Sequence, residues 1–472
     1  MEETINQVLK SIESRRELGN CGSNSCFSDK SRKPLEHFLI IGPNESNNPE
    51  ILCIYPSKSD NISLLDLKIA ISFCYPEKNE IISEKHNFVF RLLIDSIPFY
   101  GVCLKFRINR LFPPFFASEK NDGWYCFCII TKHPDFDAHM QFLTFLERFI
   151  YDFRLSLIQT KYESESANTI LPFINTYGIL SLPSIKPSKK FFRQIQLFSK
   201  VAIMRTIHID YRVTSNDTIH FHKWDSDIRI CAKSTFNIFF SCLSTKNIVF
   251  LYSILLNEQS VVFVSSNILK YSMCTIASRL LLSPFVPSYT LLPVLPNHLS
   301  FSGILDSPTP ILCGMSLDCY QSKTINHCIV NLDNNSIIHR QGAAYIPRSK
   351  DLEKSIKTIL ESGTNNESIN KLMSLFSKHI YIDLVQHIAP CFVTDFSDGK
   401  TITSSLNMEL LFDTLPKEII PFYKDFVETS MFMNYTDHHS KNLEDTKQKT
   451  LDNECNDFFI PSFQYFDDQS TI

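Results

Sequence analysis

Cysteine, histidine and paired carboxylates are the side chains through which this sequence could do chemistry, and their spacing decides against most of it. The 15 cysteines are numerous enough for metal or redox work, yet no Cys-x-x-Cys pair occurs. Cys53, Cys74, Cys103, Cys126, Cys128, Cys274 and Cys313 lie inside apolar runs, where a thiol behaves as a small hydrophobe. Cys126 and Cys128 stand two apart, so on a strand both face the same side; packing is favoured over a metal there. Cys21 and Cys26 have no second pair to complete a site. The one adjacent histidine pair, His438 and His439, follows Asp437 at a predicted helix end, where solvation is favoured over ligation. Carboxylate pairs such as Asp135 with Asp137, and Asp467 with Asp468, fall in predicted turns or tails. A nucleotide hydrolase needs a glycine-rich cradle followed by Lys and Ser or Thr, and an elbow-type serine hydrolase needs Gly-x-Ser-x-Gly. The sequence contains neither. We therefore expect no catalytic side chain, no metal and no cofactor, and a protein that works by binding.

The elements that must position any binding surface follow from periodicity. With 472 residues the chain is long enough for two to four domains. Its net charge of −4 gives no general field for holding nucleic acid, so no nucleic-acid partner is expected. Residues 1–34 read as a polar tail, and Met1 to Arg16 lack an apolar signal core, which points to reduced thiols and a cytoplasmic protein. The longest apolar runs, Ile248 to Leu256 and Val261 to Val264, are far shorter than the roughly 20 residues of a membrane-spanning helix. Short apolar runs at Phe38–Ile41, Ile51–Tyr55, Leu67–Tyr75, Phe88–Ile94, Phe99–Phe106 and Trp124–Thr131 predict strands of a largely antiparallel sheet. Phe142, Leu146, Phe149 and Phe153 then recur at helical spacing behind Pro134. A proline-bearing linker is predicted over 161–190. Beyond it, Asn247–Asn257 predicts a buried helix, Val261–Val264 a buried strand, and Met273, Ile276, Ala277, Leu280 and Leu281 a helix that Pro284 stops. With Leu291–Leu295 as the next strand, the order implies parallel pairing. After residue 346 helices are predicted, with stripes at Leu352, Ile356, Ile359 and Leu360, at Ile369, Leu372, Met373, Phe376 and Ile380, and at Phe422, Phe426, Thr429 and Met433. A polar tail is expected from 437 to 472.

The segment from Leu243 to Met315 resembles the core module of DENN-domain proteins. Six pieces carry the resemblance in order: Leu251–Glu258 (Leu-Tyr-Ser-Ile-Leu-Leu-Asn-Glu), Val261–Ser266 (Val-Val-Phe-Val-Ser-Ser), Leu280–Phe285, Leu292–Pro296 (Leu-Pro-Val-Leu-Pro), Leu299, and Ser307–Gly314 (Ser-Pro-Thr-Pro-Ile-Leu-Cys-Gly). Phe88–Leu104 and Cys128–Pro134 are similar to the upstream module, Asn331–Asn334 (Asn-Leu-Asp-Asn) and Ile346-Pro347 to the end of the core, and Pro421–Asn434 to the downstream helix. The stretch Phe191–Trp224 departs from the pattern.

The resemblance implies an α/β fold with a longin-like N-terminal lobe over 35–160, a second α/β lobe with a central mostly parallel sheet over 191–345, and a helical segment over 346–436. It also implies a guanine nucleotide exchange factor for a Rab-type small GTPase, held across the two lobes, in vesicle trafficking, with peripheral attachment to vesicle or endosomal membranes. The alternative is a scaffold or GTPase-activating component of the same fold, similar to folliculin. Such a component needs an arginine finger, for which Arg205, Arg212, Arg229, Arg279 and Arg340 are available. Partners of parallel sheets commonly bind beyond the carboxyl ends of strands. That points to Ser265, Ser266, Asn267 and Tyr271 after one strand, and to Asn297, His298, Asp306 and Ser307 after the next, with Tyr100 and Lys105 contributed by the upstream lobe. For Ser265 to Asn267 the competing role is capping of the following helix.

Overall fold

In a computed structural model of the chain, residues 31–452 are described apart from 33, 45, 47, 57–61, 77–84, 109–122, 149–188, 202, 205–208, 213–217, 222–225, 298–302, 321–326, 340–345 and 398–400. The fold is mixed α/β. Strands β1 (His37–Pro43) and β2 (Pro49–Tyr55) are followed by helix α1 (Leu64–Cys74) and by β3 (His86–Ile94), β4 (Ile97–Ile108) and β5 (Gly123–Thr131). The strands form one five-stranded antiparallel sheet in the order β2-β1-β5-β4-β3. A helix over 136–148, α2, follows Pro134 as its spacing predicts and buries Phe142, Leu143 and Leu146. Phe149 and Phe153 lie outside the described residues.

Helix α1 corrects the strand expected over Leu67–Tyr75. The run Leu65, Leu67, Ile69, Ile71 and Phe73 alternates with Asp66, Lys68, Ala70 and Ser72, which imitates a half-buried strand. A local device overrides it. The Ser63 hydroxyl accepts from the Asp66 amide at 3.2 Å, and the Asp66 carboxylate accepts from the Ser63 amide at 3.1 Å. This reciprocal cap satisfies two of the donors that a helix start leaves open. Leu67, Ala70 and Cys74 then share the buried face, while Leu65 is left 53% exposed.

The predicted linker is outside the described residues as far as 188, and α3 (Lys189–Ser199) begins within its last two positions. Phe198 of α3 stacks on Phe142 of α2 at 3.8 Å between ring centroids. Past a short antiparallel strand pair, Ile209–Arg212 with Thr218–Phe221, come helices α4 (Asp227–Cys242) and α5 (Thr245–Leu256), then β6 (Val261–Ser265), α6 (Ile268–Leu280), β7 (Thr290–Leu292), β8 (Ile311–Ser316), β9 (Cys328–Asn331) and β10 (Ser336–Ile338). The second sheet is mixed, in the order β7-β8-β6-β9-β10: β6 pairs parallel with β8 and β9, β7 pairs parallel with β8, and β10 runs antiparallel to β9. Every residue of β6 is buried, as a central strand covered on both faces must be. Leu291–Leu295 is a strand only to Leu292, although the Leu295 amide still donates to the Gly314 carbonyl at 2.7 Å.

The two sheets share one core. The Ser272 hydroxyl on α6 accepts from the Val89 amide on β3 at 3.4 Å, and Ser234 on α4 accepts from the Phe136 amide at 3.2 Å. One cluster of buried apolar residues runs from Leu35 in the first unit to Phe432 near the other end of the chain. Among the described residues no single helix is long and apolar enough to cross a membrane, and α4 and α5 meet at a 118° bend.

The C-terminal part is largely helical: α7 (Ser349–Glu361), α8 (Asn366–Lys378), α9 (Met408–Thr414), α10 (Ile420–Phe426) and α11 (Ser430–Asp452). Two features were not expected. A hairpin of β11 (Phe392–Ser397) with β12 (Thr401–Leu406) interrupts the helices, built on the polar stretch that carries no helical period. The stripe Phe422, Phe426, Thr429 and Met433 is divided between α10 and α11, where the Thr429 hydroxyl accepts from the Phe432 amide at 3.1 Å and starts a new helix. Met433 is therefore 49% exposed. The expected polar tail from 437 continues α11 as far as Asp452, its charged composition being that of a solvated helix. A buried carboxylate fastens this part to the core: Glu258 accepts from the Ser430 amide at 2.7 Å, the Ser430 hydroxyl at 2.6 Å and the Ser288 amide at 3.0 Å.

Candidate functional site

The parallel strands of the second sheet bring the carboxyl ends of β7, β8, β6 and β9 to one side, and the chain leaving β6 there is organised by a single acid. Asp333, in the turn after β9, accepts from the Ser265 hydroxyl at 2.7 Å and from the Ser266 amide at 2.7 Å. Lys270 Nζ approaches it at 3.4 Å. Partial burial works against the charge of Asp333, but the Ser266 amide, the Ser265 hydroxyl and Lys270 outweigh it and hold the carboxyl below its ordinary value. Asn331 steadies the same turn, its side-chain oxygen accepting from the Asp333 amide at 3.0 Å and the Asn334 amide at 3.3 Å. Asn335 takes a left-handed φ of 53°. It accepts from Asn247 Nδ2 at 2.8 Å and from the Ser244 amide at 2.9 Å, which joins the turn to the start of α5.

Each predicted residue can now be placed. Asn267 caps α6, its Oδ1 accepting from the Leu269 amide at 2.9 Å, so the capping role is present beside any contact role. Ser266 and Asn267 are exposed, whereas Ser265 and Tyr271 are buried. Tyr271 lies against Gly314 of β8, where a Cβ would come within 2.6 Å of its ring. Asn297 donates its amide to the Pro76 carbonyl at 2.8 Å and so ties the end of the β7 segment to the first unit. His298 lies outside the described residues. Asp306 and Ser307 precede β8. They fall at the amino ends of the strands, across the sheet from Ser265, where Leu305 meets His327 just before β9. The reading that put them after a strand missed that the chain crosses back before β8.

Tyr100 and Lys105 belong to neither group. Lys105 is 6% exposed, with Nζ 4.4 Å from the centre of the Tyr75 ring. Tyr100 lies at the junction of the two units, where burial and the Cys231 thiol push its phenol up to about 12 against the pull of Arg91 and Arg279. Of the arginines available for a finger, Arg279 is committed to this junction beside Arg91, and Arg205 and Arg340 lie outside the described residues. Sequence reasoning missed Asp333 and Lys270. Both were within reach of it: Asn-Leu-Asp-Asn after an apolar strand is turn chemistry that supplies a carboxylate, and a lysine in the first turn of α6 faces it. A hollow of about 620 Å³ lies apart from this region, between α2 and a short strand pair, lined by Asn87, Asp137, Gln141, Arg148 and His220 among others.

The family model of the DENN (AEX-3) domain matches residues 124–335. The DENN-domain match begins in β5, takes in α2 and the whole carboxyl-end cluster, and ends in the turn that holds Asp333. Among curated proteins, DENN domain-containing protein 2A of Homo sapiens is 23% identical over 233 residues, which are 45% of this chain and 23% of that protein. DENN domain-containing protein 2B of Homo sapiens is 26% identical over 218 residues, 42% of this chain and 19% of its own length. Myotubularin-related protein 5 of Caenorhabditis elegans is 28% identical over 136 residues, 28% of this chain and 8% of its own. The matched region spans less than a quarter of each of these relatives.

Proposed function

We propose that this chain is a guanine nucleotide exchange factor for a Rab-type small GTPase. The observation that carries the reading is the DENN-domain match over 124–335, which contains the exposed carboxyl-end cluster in full. The DENN domain-containing relatives 2A and 2B align with the same chain and favour the same class of function. The strand-strand-helix-strand-strand-strand-helix order of the first unit supports reading it as the longin-like lobe, and the three parallel pairings of the second sheet, two of them on β6, support reading residues 191–345 as the core lobe. Residues 346–436 then form the downstream part, which α11 prolongs.

The mechanism is differential binding. A surface that fits the emptied, opened GTPase better than the nucleotide-bound form lowers the affinity for GDP by the same factor, because the two equilibria are linked. A pre-set surface spends less of its binding energy on its own ordering, and the cluster at the end of β6 is of this kind: Ser266, Asn267 and the 333–335 turn are held by hydrogen bonds within the chain. Ser266, Asn267 and Lys270 are the side chains we assign to GTPase contact. No proton transfer by this chain is required. Peripheral attachment to a vesicle or endosomal membrane belongs to the same reading. The test is release of fluorescent GDP from a panel of Rab-type GTPases. Acceleration for at least one member supports exchange, and unchanged release across the panel refutes it. Accelerated GTP hydrolysis without GDP release would instead identify the GTPase-activating alternative.

A further inference from the structure

Four cysteines far apart in sequence converge in the core of the first unit. Cys74 is the last residue of α1, Cys103 lies on β4, and Cys126 and Cys128 lie on β5, where Cys103 and Cys128 are directly paired across the sheet. All four are fully buried. The sulfurs of Cys74, Cys103 and Cys128 lie within 4.8 Å of one another, and those of Cys74 and Cys103 are 3.7 Å apart. Cys126 faces the same side of β5 as Cys128, just outside this group of three, with its Sγ donating to the Phe127 carbonyl at 3.6 Å.

The separation of Cys74 and Cys103 is that of two ligands in one coordination shell. With zinc-to-thiolate bonds of about 2.3 Å, two ligands of a tetrahedron stand about 3.8 Å apart, close to the distance between Cys74 and Cys103. A disulfide would bring two sulfurs to about 2.05 Å, and a multi-iron cluster needs room for several metal atoms between its thiolates. We propose that Cys74, Cys103, Cys126 and Cys128 hold one structural zinc ion between α1 and the first sheet.

An all-thiolate tetrahedral donor set favours zinc among the common divalent ions. Binding releases the thiol protons to solvent as the unit folds around the metal. The four thiolates and the zinc ion carry a net charge of about −2, which an apolar core tolerates only with compensation. Lys105 supplies part of it. It follows Cys103 by two residues and so projects from the same face of β4, it is 6% exposed, and its charge acts on Cys126. An ion here would pin the end of α1 to two strands and join residues that only the β4–β5 register brings together.

The experiment is elemental analysis of the full chain purified without chelators, followed by unfolding with chelator and refolding with cobalt(II). The expected results are one zinc ion per chain and, after exchange, the thiolate charge-transfer and visible bands of tetrahedral cobalt. Cys103→Ser and Cys126→Ser, each tested singly, should lose at least tenfold in zinc affinity. Cys313→Ser, at a buried cysteine of the second sheet, should keep its zinc and so controls for the cost of a buried hydroxyl. Should the cluster variants fail to fold, the wild-type zinc content and cobalt spectrum decide. Folded wild-type protein without stoichiometric zinc after refolding in its presence would overturn the proposal, as would iron in its place or a Cys74–Cys103 disulfide.

Discussion

Replacing Asp333 by alanine should loosen the chain that leaves β6, and the structure sets the size of the effect. Asp333 receives two short hydrogen bonds, from the Ser265 hydroxyl and the Ser266 amide, both at 2.7 Å. Its side chain is 26% exposed, so each bond contributes about 1 kcal/mol. The Lys270 pair at 3.4 Å adds little, since both partners reach solvent. Truncation also leaves the fully buried Ser265 hydroxyl without its acceptor, a further cost of about 1 kcal/mol. We expect Asp333→Ala to lose about 2 to 3 kcal/mol, and Asp333→Asn, which keeps one acceptor oxygen, about 1 kcal/mol. The pH dependence has a definite sign. The folded carboxyl is held below its ordinary value, so its contribution is complete above the unfolded value of about 4 and disappears as pH falls through the folded value. The gap between wild type and Asp333→Asn should therefore be constant near neutrality and close from about pH 5 downward. Urea unfolding at a series of pH values measures the gap, and hydrogen exchange of the Ser266 amide reports the same opening locally. Unchanged unfolding midpoints together with unchanged Ser266 exchange in Asp333→Ala would refute the reasoning.

Two further perturbations test the frame around the site. At Gly314 an added Cβ would stand 2.5 Å from the Pro293 carbonyl oxygen and 2.6 Å from the Tyr271 ring, a backbone clash that cannot be relieved by a rotamer change, so Gly314→Ala should cost about 3 kcal/mol in urea unfolding. Gly363→Ala, at a φ of +86° with nothing within 4 Å, should cost only about 1 kcal/mol; equal losses for the two would contradict the packing described. Glu258→Ala removes the acceptor of Ser430 and Ser288. It should raise the rate of limited proteolysis near residue 430 by about tenfold or more, as expected for local opening that costs at least about 1.4 kcal/mol less.

The sequence disclosed most where one physical signal acted alone. The Val261–Val264 run is a central strand because an unbroken β-branched and aromatic run suits burial on both faces, and Met273, Ile276, Ala277 and Leu280 lie on a buried helix at the expected period. It misled where two signals competed. The alternation through Leu65–Phe73 reads as a strand, yet the Ser63–Asp66 cap makes a helix. The hairpin over 392–406 has no apolar alternation to announce it, since its order comes from pairing with its own other half and from packing on α11. The candidate site was legible in part. Strand polarity put Ser266 and Asn267 at the carboxyl end of β6, where the structure has them, but Asp306 and Ser307 fell on the other side of the sheet because strand order, unlike strand existence, is not written locally. Cys74, Cys103, Cys126 and Cys128 meet only through sheet register, so spacing along the chain gave no hint of their convergence.

The central claim is that the surface around Ser266, Asn267 and Lys270 prefers an emptied GTPase to a loaded one. Equilibrium binding to a responsive Rab-type GTPase, measured in its nucleotide-free and GDP-bound forms, tests this most directly. The account predicts tighter binding to the nucleotide-free form, by the same factor through which this protein weakens GDP affinity. Equal affinities for the two forms would contradict it.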